Sequence, residues 1–159
     1  MRVILVPVAD RPECARALQT AFDLGERLNA SVSGVHMRPH RQSDDNLSPA
    51  FAEAAWRKKS TKRAPAAARS LYEEIAAQHG YELAKRARKA PCALWTEKVG
   101  SPDMLMSIYG PLADLIVVSR PAGKGNVADM FLSPALTRSS RPVLVLPQRV
   151  RKRIGKRIC

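Results

Sequence analysis

The sequence predicts a three-layer α/β/α sandwich on a five-stranded parallel sheet, and three observations carry that prediction. Short apolar runs, typical of strands buried on both faces, alternate with longer segments whose apolar residues recur every three or four positions. Ser-Pro pairs stand where several of the longer segments begin, as at helix starts. The 159 residues suit one domain. Such alternation indicates parallel strands joined by right-handed crossovers.

The first three elements follow directly from apolar patterning. We predict a strand from Val3 to Val8 and a helix from about Pro12 to Asn29. Apolar residues recur at helical spacing within that helix, including Leu18 and Phe22. A second strand is predicted from about Ser31 to Met37, and a polar loop follows over residues 38–46.

The middle of the chain is predicted to be helical with one interruption. Ser48 can cap a helix, and Pro49 suits a first turn because its missing N–H would lack a partner there. Alanine-rich sequence continues to His79, and Gly80 is a plausible stop. Pro65 should break or kink this helix over residues 61–64.

The C-terminal half predicts two more helices and three strands. Ser101 and Pro102 open a helix that ends near Tyr109 and Gly110, and Ser133 and Pro134 open the last helix, with Ser133 as its N-cap. The predicted strands are Ala93 to Val99, Leu115 to Ser119, and Val143 to Leu146. The whole order is therefore β-α-β-α-β-α-β-α-β.

Composition narrows the class of protein. No apolar run reaches the roughly 20 residues of a membrane span, and the short apolar start, followed at once by Asp10 and Arg11, favours a buried strand of a cytoplasmic protein over a signal peptide. The three cysteines and three histidines show no metal-ligand spacing, so we predict neither a metal site nor a disulfide.

The net charge of +13 is concentrated in three clusters. They lie at residues 57–63, 85–89 and 149–157. Such clusters attract polyanions at long range. They contain no aromatic platform and no recognised binding motif, so we interpret them as solvated surface and do not expect nucleic acid as a partner.

A ligand site is predicted where strand order reverses, beyond the carboxyl ends of the strands. The residues at those ends are Ala9 and Asp10, Met37 and Arg38, and Ser119 and Arg120. No Walker loop, dinucleotide fingerprint, Gly-x-Ser-x-Gly elbow or paired His/acid set occurs, so no catalytic residue is predicted.

Several segments together resemble the universal stress protein family. ILVPVAD followed by an alanine-rich helix, SVSGVHM, ADLIVVS and RPVLVLP are similar in order and spacing to that family's strands. The resemblance covers nearly the whole chain apart from a variable middle, residues 38–91. It implies a nucleotide-binding-type (HUP) sandwich that is usually dimeric and usually has no demonstrated reaction.

Nucleotide-binding members of that family carry Gly-x-x-Gly and, after a nine-residue spacer, Gly-Ser or Gly-Thr. On this chain the pattern falls on Ser119, Ala122, Leu132 and Ser133, and only Ser133 matches. The family's aspartate falls at Ala9, with Asp10 adjacent. Glycine lets backbone amides approach phosphate closely, so these changes indicate a degraded nucleotide site.

A shifted site is the alternative interpretation of the same loop. Gly123, Lys124 and Gly125 offer flexibility and a cation, and Lys124 or Arg120 could meet a phosphate. On that interpretation ATP or AMP would bind near Ala9, Asp10, Met37, Ser119, Arg120, Lys124 and Ser133, and slow ATP hydrolysis would be compatible with the site. His36, late in the second strand, is predicted to have a packing role.

Two further expectations concern assembly and the tail. The apolar last strand, Val143, Leu144, Val145 and Leu146, would be an edge strand, and the resemblance implies homodimer pairing through it. Residues 1–147 form the predicted domain. Residues 148–159 are either a disordered basic tail or a truncated linker of a tandem protein. We therefore expect a non-enzymatic stress-response module that acts as a dimer and binds protein partners.

Overall fold

A computed structural model describes residues 2–8, 12–38, 64–88, 91–120 and 127–147. The elements are β1 (Val3–Val8), α1 (Pro12–Leu28), β2 (Ser31–Arg38), α2 (Ala64–Gln78), β3 (Leu83–Ala84), β4 (Ala93–Val99), α3 (Pro102–Tyr109), a 3-10 turn (Gly110–Leu112), β5 (Leu115–Ser119), α4 (Val127–Arg138) and β6 (Val143–Leu146). No helix in these ranges is long and apolar enough to cross a membrane.

The described strands form one sheet in the order β3-β4-β2-β1-β5-β6, with every neighbouring pair parallel. β1 lies between β2 and β5, and the chain leaves β1 toward one edge before it returns to build the other. Strand order therefore reverses between β1 and β5. The predicted α/β class and parallel sheet are confirmed.

Alternate side chains along the strands enter two separate cores. One core lies under α1 and α2 and contains Val6, Phe22 and Tyr72. The other lies under α3 and α4 and contains Leu5, Leu105 and Phe131. Because β1 supplies both cores, the sheet is the middle of three layers, as the apolar strand runs predict.

Tight aromatic packing joins α2 to the sheet at Gly34. A Cβ at Gly34 would lie 2.7 Å from two ring carbons of Tyr72 and 3.1 Å from Trp95 Cε3. The two ring centroids are 5.2 Å apart. Burial raises the pKa of the Tyr72 hydroxyl, so this group stays protonated and donates to the Val32 carbonyl over 2.8 Å. The absent side chain of Gly34 thus makes room for both rings.

Asp114 holds the beginning of β1. Its Oδ2 accepts hydrogen bonds from the backbone N–H groups of Arg2, at 2.7 Å, and Val3, at 3.0 Å. These two donors favour the ionised form and lower the pKa of the Asp114 carboxyl below its usual value. The residue just before β5 therefore fixes the register of its neighbour strand.

The described residues form a sheet of six strands, so the predicted count of five was wrong by one short edge strand. β3 pairs with β4 at only two positions, Leu83 with Ala93 and Ala84 with Leu94. A two-residue strand beside charged residues has no apolar run by which a sequence pattern could find it.

The predicted start of the last helix was also wrong. α4 begins at Val127, so Ser133 lies inside the helix and does not cap it, and Pro134 is an interior proline. Phe131 and Ala135, one turn apart, are both buried in the second core. This packing outweighs the hydrogen bond that Pro134 cannot donate.

The structure tests two of the three remaining predictions that rest on Ser-Pro pairs or on Pro65. Ser101 caps α3 as expected, its Oγ accepting from the Met104 N–H at 3.2 Å. α2 begins at Ala64, so Pro65 occupies its first turn. The predicted helix start at Ser48 lies outside the described residues.

Gly34→Ala should lower the free energy of unfolding by about 1–3 kcal/mol, because the added methyl overlaps the Tyr72 ring. Denaturant titration would measure the loss. The matched background is Tyr72→Leu, in which the same substitution should cost clearly less. An equal cost in both backgrounds would contradict the packing explanation.

Asp114→Asn should destabilise the protein at neutral pH and matter less in acid. The folded-state pKa of Asp114 is depressed, so its stabilisation is present above the unfolded value and is lost as pH falls through the folded one. Urea titrations from pH 7 downward should show the two proteins converging below about the ordinary carboxyl value of 3.8. The exposed Asp23→Asn is the control, and a pH-independent gap for Asp114→Asn would contradict the assignment.

Candidate functional site

The candidate site lies at the carboxyl end of the sheet, between β1 and β5, where strand order reverses. The strand ends here are Val8, Arg38 and Ser119. Parallel strands bring the residues that follow them to one side of the sheet. Three predicted site residues, Ala9, Asp10 and Lys124, lie outside the described residues.

His36 supports this side of the sheet from within. It is only 5% exposed, and its Nδ1 lies 2.8 Å from the Val8 carbonyl oxygen. Since a carbonyl only accepts, Nδ1 donates in this contact. The ring also stacks on Trp95, with centroids 6.0 Å apart and planes inclined by 12°. His36 therefore fixes the end of β1, which confirms the predicted packing role.

Met37 contributes less to the site than its strand-end position predicts. Its side chain is 5% exposed and belongs to the core under α3 and α4. The thioether is thus committed to packing against that core. Only the Met37 backbone is placed where a ligand at the strand ends could meet it.

Ser119 and Arg120 lie where the prediction puts them, at the end of β5. Ser119 is half-buried and aligned with Leu146 of β6, while Arg120 is exposed. The Arg120 N–H donates to the Leu146 carbonyl over 2.7 Å, so its backbone is occupied by the sheet. Arg120 is thus an exposed cation at the end of β5, of the kind that can meet an anion electrostatically.

Ser133 lies away from the helix end at which a phosphate would bind. It is six residues beyond Val127, which corresponds to about 9 Å along the helix axis. Its side chain is exposed, and its carbonyl accepts from Thr137 Oγ1 at 2.9 Å. The single residue that matched the nucleotide pattern is thus not at the N-terminus of α4 and cannot offer the amide donors that gather there.

The N-terminus of α3 is satisfied by its own chain. Ser101 Oγ accepts from Met104, and Asp103 adds a negative charge in the first turn. Asp103 also forms an ion pair with Arg138 of α4, with 3.2 Å between Oδ1 and Nε. This carboxylate complements the helix dipole and repels anions.

The predicted dimer edge is an edge strand. β6 pairs only with β5 among the described strands. Leu146 is buried, Val143 and Leu144 are half-buried, and Val145 is 37% exposed. The strand therefore presents an apolar side chain and a row of backbone groups at the edge.

Within the described ranges, no cluster of three or more His, Cys, Asp or Glu side chains could hold a metal ion. Among the described residues, this arrangement offers the exposed Arg120, the half-buried Ser119 and backbone groups at the strand ends. The sequence analysis missed the hydrogen bond between His36 and Val8, and its only sequence signal was a histidine late in the second strand.

Comparison with protein-family models finds no match, and comparison with curated proteins finds none either. Comparison with solved structures does find similar folds. The universal stress protein UspA from Lactobacillus plantarum is 18% identical over 91% of this chain and 97% of its own, with a TM-score of 0.62.

Two other similar structures hold ligands. One universal stress protein in complex with cAMP is 18% identical over 91% of this chain and 95% of its own, with a TM-score of 0.57. Another, from Archaeoglobus fulgidus in complex with dAMP, is 15% identical over 91% of this chain and 96% of its own, with a TM-score of 0.51. Identities this low establish the architecture alone. The chain has the fold of the universal stress proteins.

Proposed function

We propose that this protein is a non-enzymatic stress-response module that works as a homodimer and binds partner proteins. In this proposal its nucleotide site is degraded and no longer binds phosphate. The position of Ser133 carries the proposal. The residue that would anchor phosphate at a helix N-terminus is about 9 Å inside α4. The sequence carries no Walker loop and no Gly-x-Ser-x-Gly elbow, which supports the non-enzymatic part of the proposal.

The dimer is proposed through β6. An edge strand with an exposed apolar residue is a liability unless it is paired or covered. A second copy of the same strand, related by a two-fold axis, would satisfy the outward backbone groups and bury Val145 on both sides. The exposed Leu136 on neighbouring α4 could extend the contact.

A second candidate function is AMP-type nucleotide binding at the strand ends. It is favoured by one observation on this chain, the exposed Arg120 at the end of β5. Two of the similar structures contain cAMP and dAMP, and the phosphate of such a ligand is an anion that an arginine can bind. In this version Arg120, with Lys124 of the following loop, would meet the phosphate electrostatically.

Val145→Lys should convert the dimer to a monomer, since it places like charges directly across the paired edge. Light scattering coupled to size exclusion at micromolar concentration measures the mass. Leu28→Lys, an exposed apolar residue at the end of α1, is the control and should stay dimeric. A wild-type monomer at these concentrations would sink the proposed assembly.

Calorimetric titration with Mg-ATP and with AMP should show no binding at micromolar affinity, because Ser133 lies inside α4 and away from the helix N-terminus that would hold phosphate. Binding that is weakened at least about tenfold by Arg120→Ala would support the second candidate instead. Ser133→Ala is the matched control, and we expect it to change nothing in either case, since its side chain is exposed in mid-helix.

A further inference from the structure

From the opposite edge of the sheet, we infer that β3 is a docking site for an acidic, extended segment of a partner protein, which adds to the sheet as a further strand. The site consists of Leu83, Lys85, Arg86 and Arg88. It goes beyond the proposed function by naming the partner's chemistry. It does not depend on whether β6 forms a dimer.

The backbone N–H and C=O groups of Leu83 point away from the neighbouring strand β4. The Ala93 N–H donates to the Glu82 carbonyl over 2.9 Å, so the backbone groups of Glu82 face β4. Successive residues of a strand direct their backbone groups to opposite sides. The N–H and C=O of Leu83 therefore face outward, where none of the described residues pairs with them.

The same edge carries an apolar contact point and a surplus of positive charge. Leu83 is 49% exposed. Lys85, Arg86 and Arg88 follow it and are all exposed, and the one ion pair that the described residues form with these three cations joins Arg88 to Glu82 over 3.8 Å. Within the described residues, Lys85 and Arg86 have no ion-pair partner. An extended peptide with alternating apolar and acidic residues matches both features.

The charge also argues against a second copy at this edge. Charged residues on an edge strand, lysine above all, keep it from pairing with copies of itself. With a net charge of +13, two such edges would repel each other. An acidic strand gains from the same charges, so they select the partner. The apolar edge strand β6 has no such charges to exclude a second copy or to favour an acidic partner.

Fluorescence anisotropy of a labelled peptide of four Glu-Val repeats tests the inference. We expect saturable binding at about 50 mM salt that weakens at about 150 mM. Lys85→Glu with Arg86→Glu should lower the affinity at least about tenfold, since attraction becomes repulsion. Arg16→Glu with Arg69→Glu makes the same change in net charge on α1 and α2 and should have a much smaller effect.

Two measurements separate strand pairing from simple charge attraction. Leu83→Pro removes an outward N–H that pairs with no described residue, so the protein should stay folded and lose about three- to tenfold in affinity. Two further peptides are tested, one N-methylated at every valine amide and the other at every glutamate amide. Only one of them should lose binding, because a strand pairs with β3 through the backbone groups of every second residue. The peptide test holds even if Leu83→Pro disturbs folding.

Three results would overturn the inference. Octaglutamate that binds as tightly as the alternating peptide would reduce the edge to a charge patch. A single-stranded oligonucleotide of equal charge that binds more tightly, and loses affinity in Lys85→Glu with Arg86→Glu, would make this a nucleic-acid surface. If the alternating peptide does not bind even at low salt, β3 is not a docking site for an acidic strand.

Discussion

The central strand β1 is the constraint on which the rest of this structure depends. It pairs with β2 on one side and β5 on the other, and its side chains enter both cores. Its two ends are held by side chains from elsewhere in the sheet. Asp114 accepts from the first backbone amides, and His36 donates to the carbonyl of Val8. The contact from His36 lies at the carboxyl end of β1, beside the candidate site, whereas those from Asp114 hold the opposite end of the strand.

The two edges of the sheet differ in a way that suits different partners. β6 is apolar, and its exposed side chain favours a like surface, as in a two-fold dimer. β3 is short and is followed by exposed cations, which oppose a like surface and favour an acidic one. Under the proposed function, the two edges of the sheet would bind partners, and the strand ends would not be needed to bind a nucleotide.

Apolar patterning was sufficient to predict the sandwich, because buried parallel strands leave continuous apolar runs and amphipathic helices leave three- and four-residue spacing. Sequence-based prediction failed where tertiary contacts determine the secondary structure. Ser133 and Pro134 have the local chemistry of a helix start, yet burial of Phe131 and Ala135 extends α4 back to Val127. β3 exists only through its two pairings with β4. At the site, the strand-end position of Met37 was predictable, but the burial of its side chain depends on packing from α3 and α4.

Native mass spectrometry of the protein as purified tests the central claim most directly, because one spectrum reports both assembly and bound small molecules. The account predicts a mass of twice 17.5 kDa with no adduct of nucleotide size. A monomer, or a species whose excess mass equals AMP or ATP and disappears on denaturation, would contradict it.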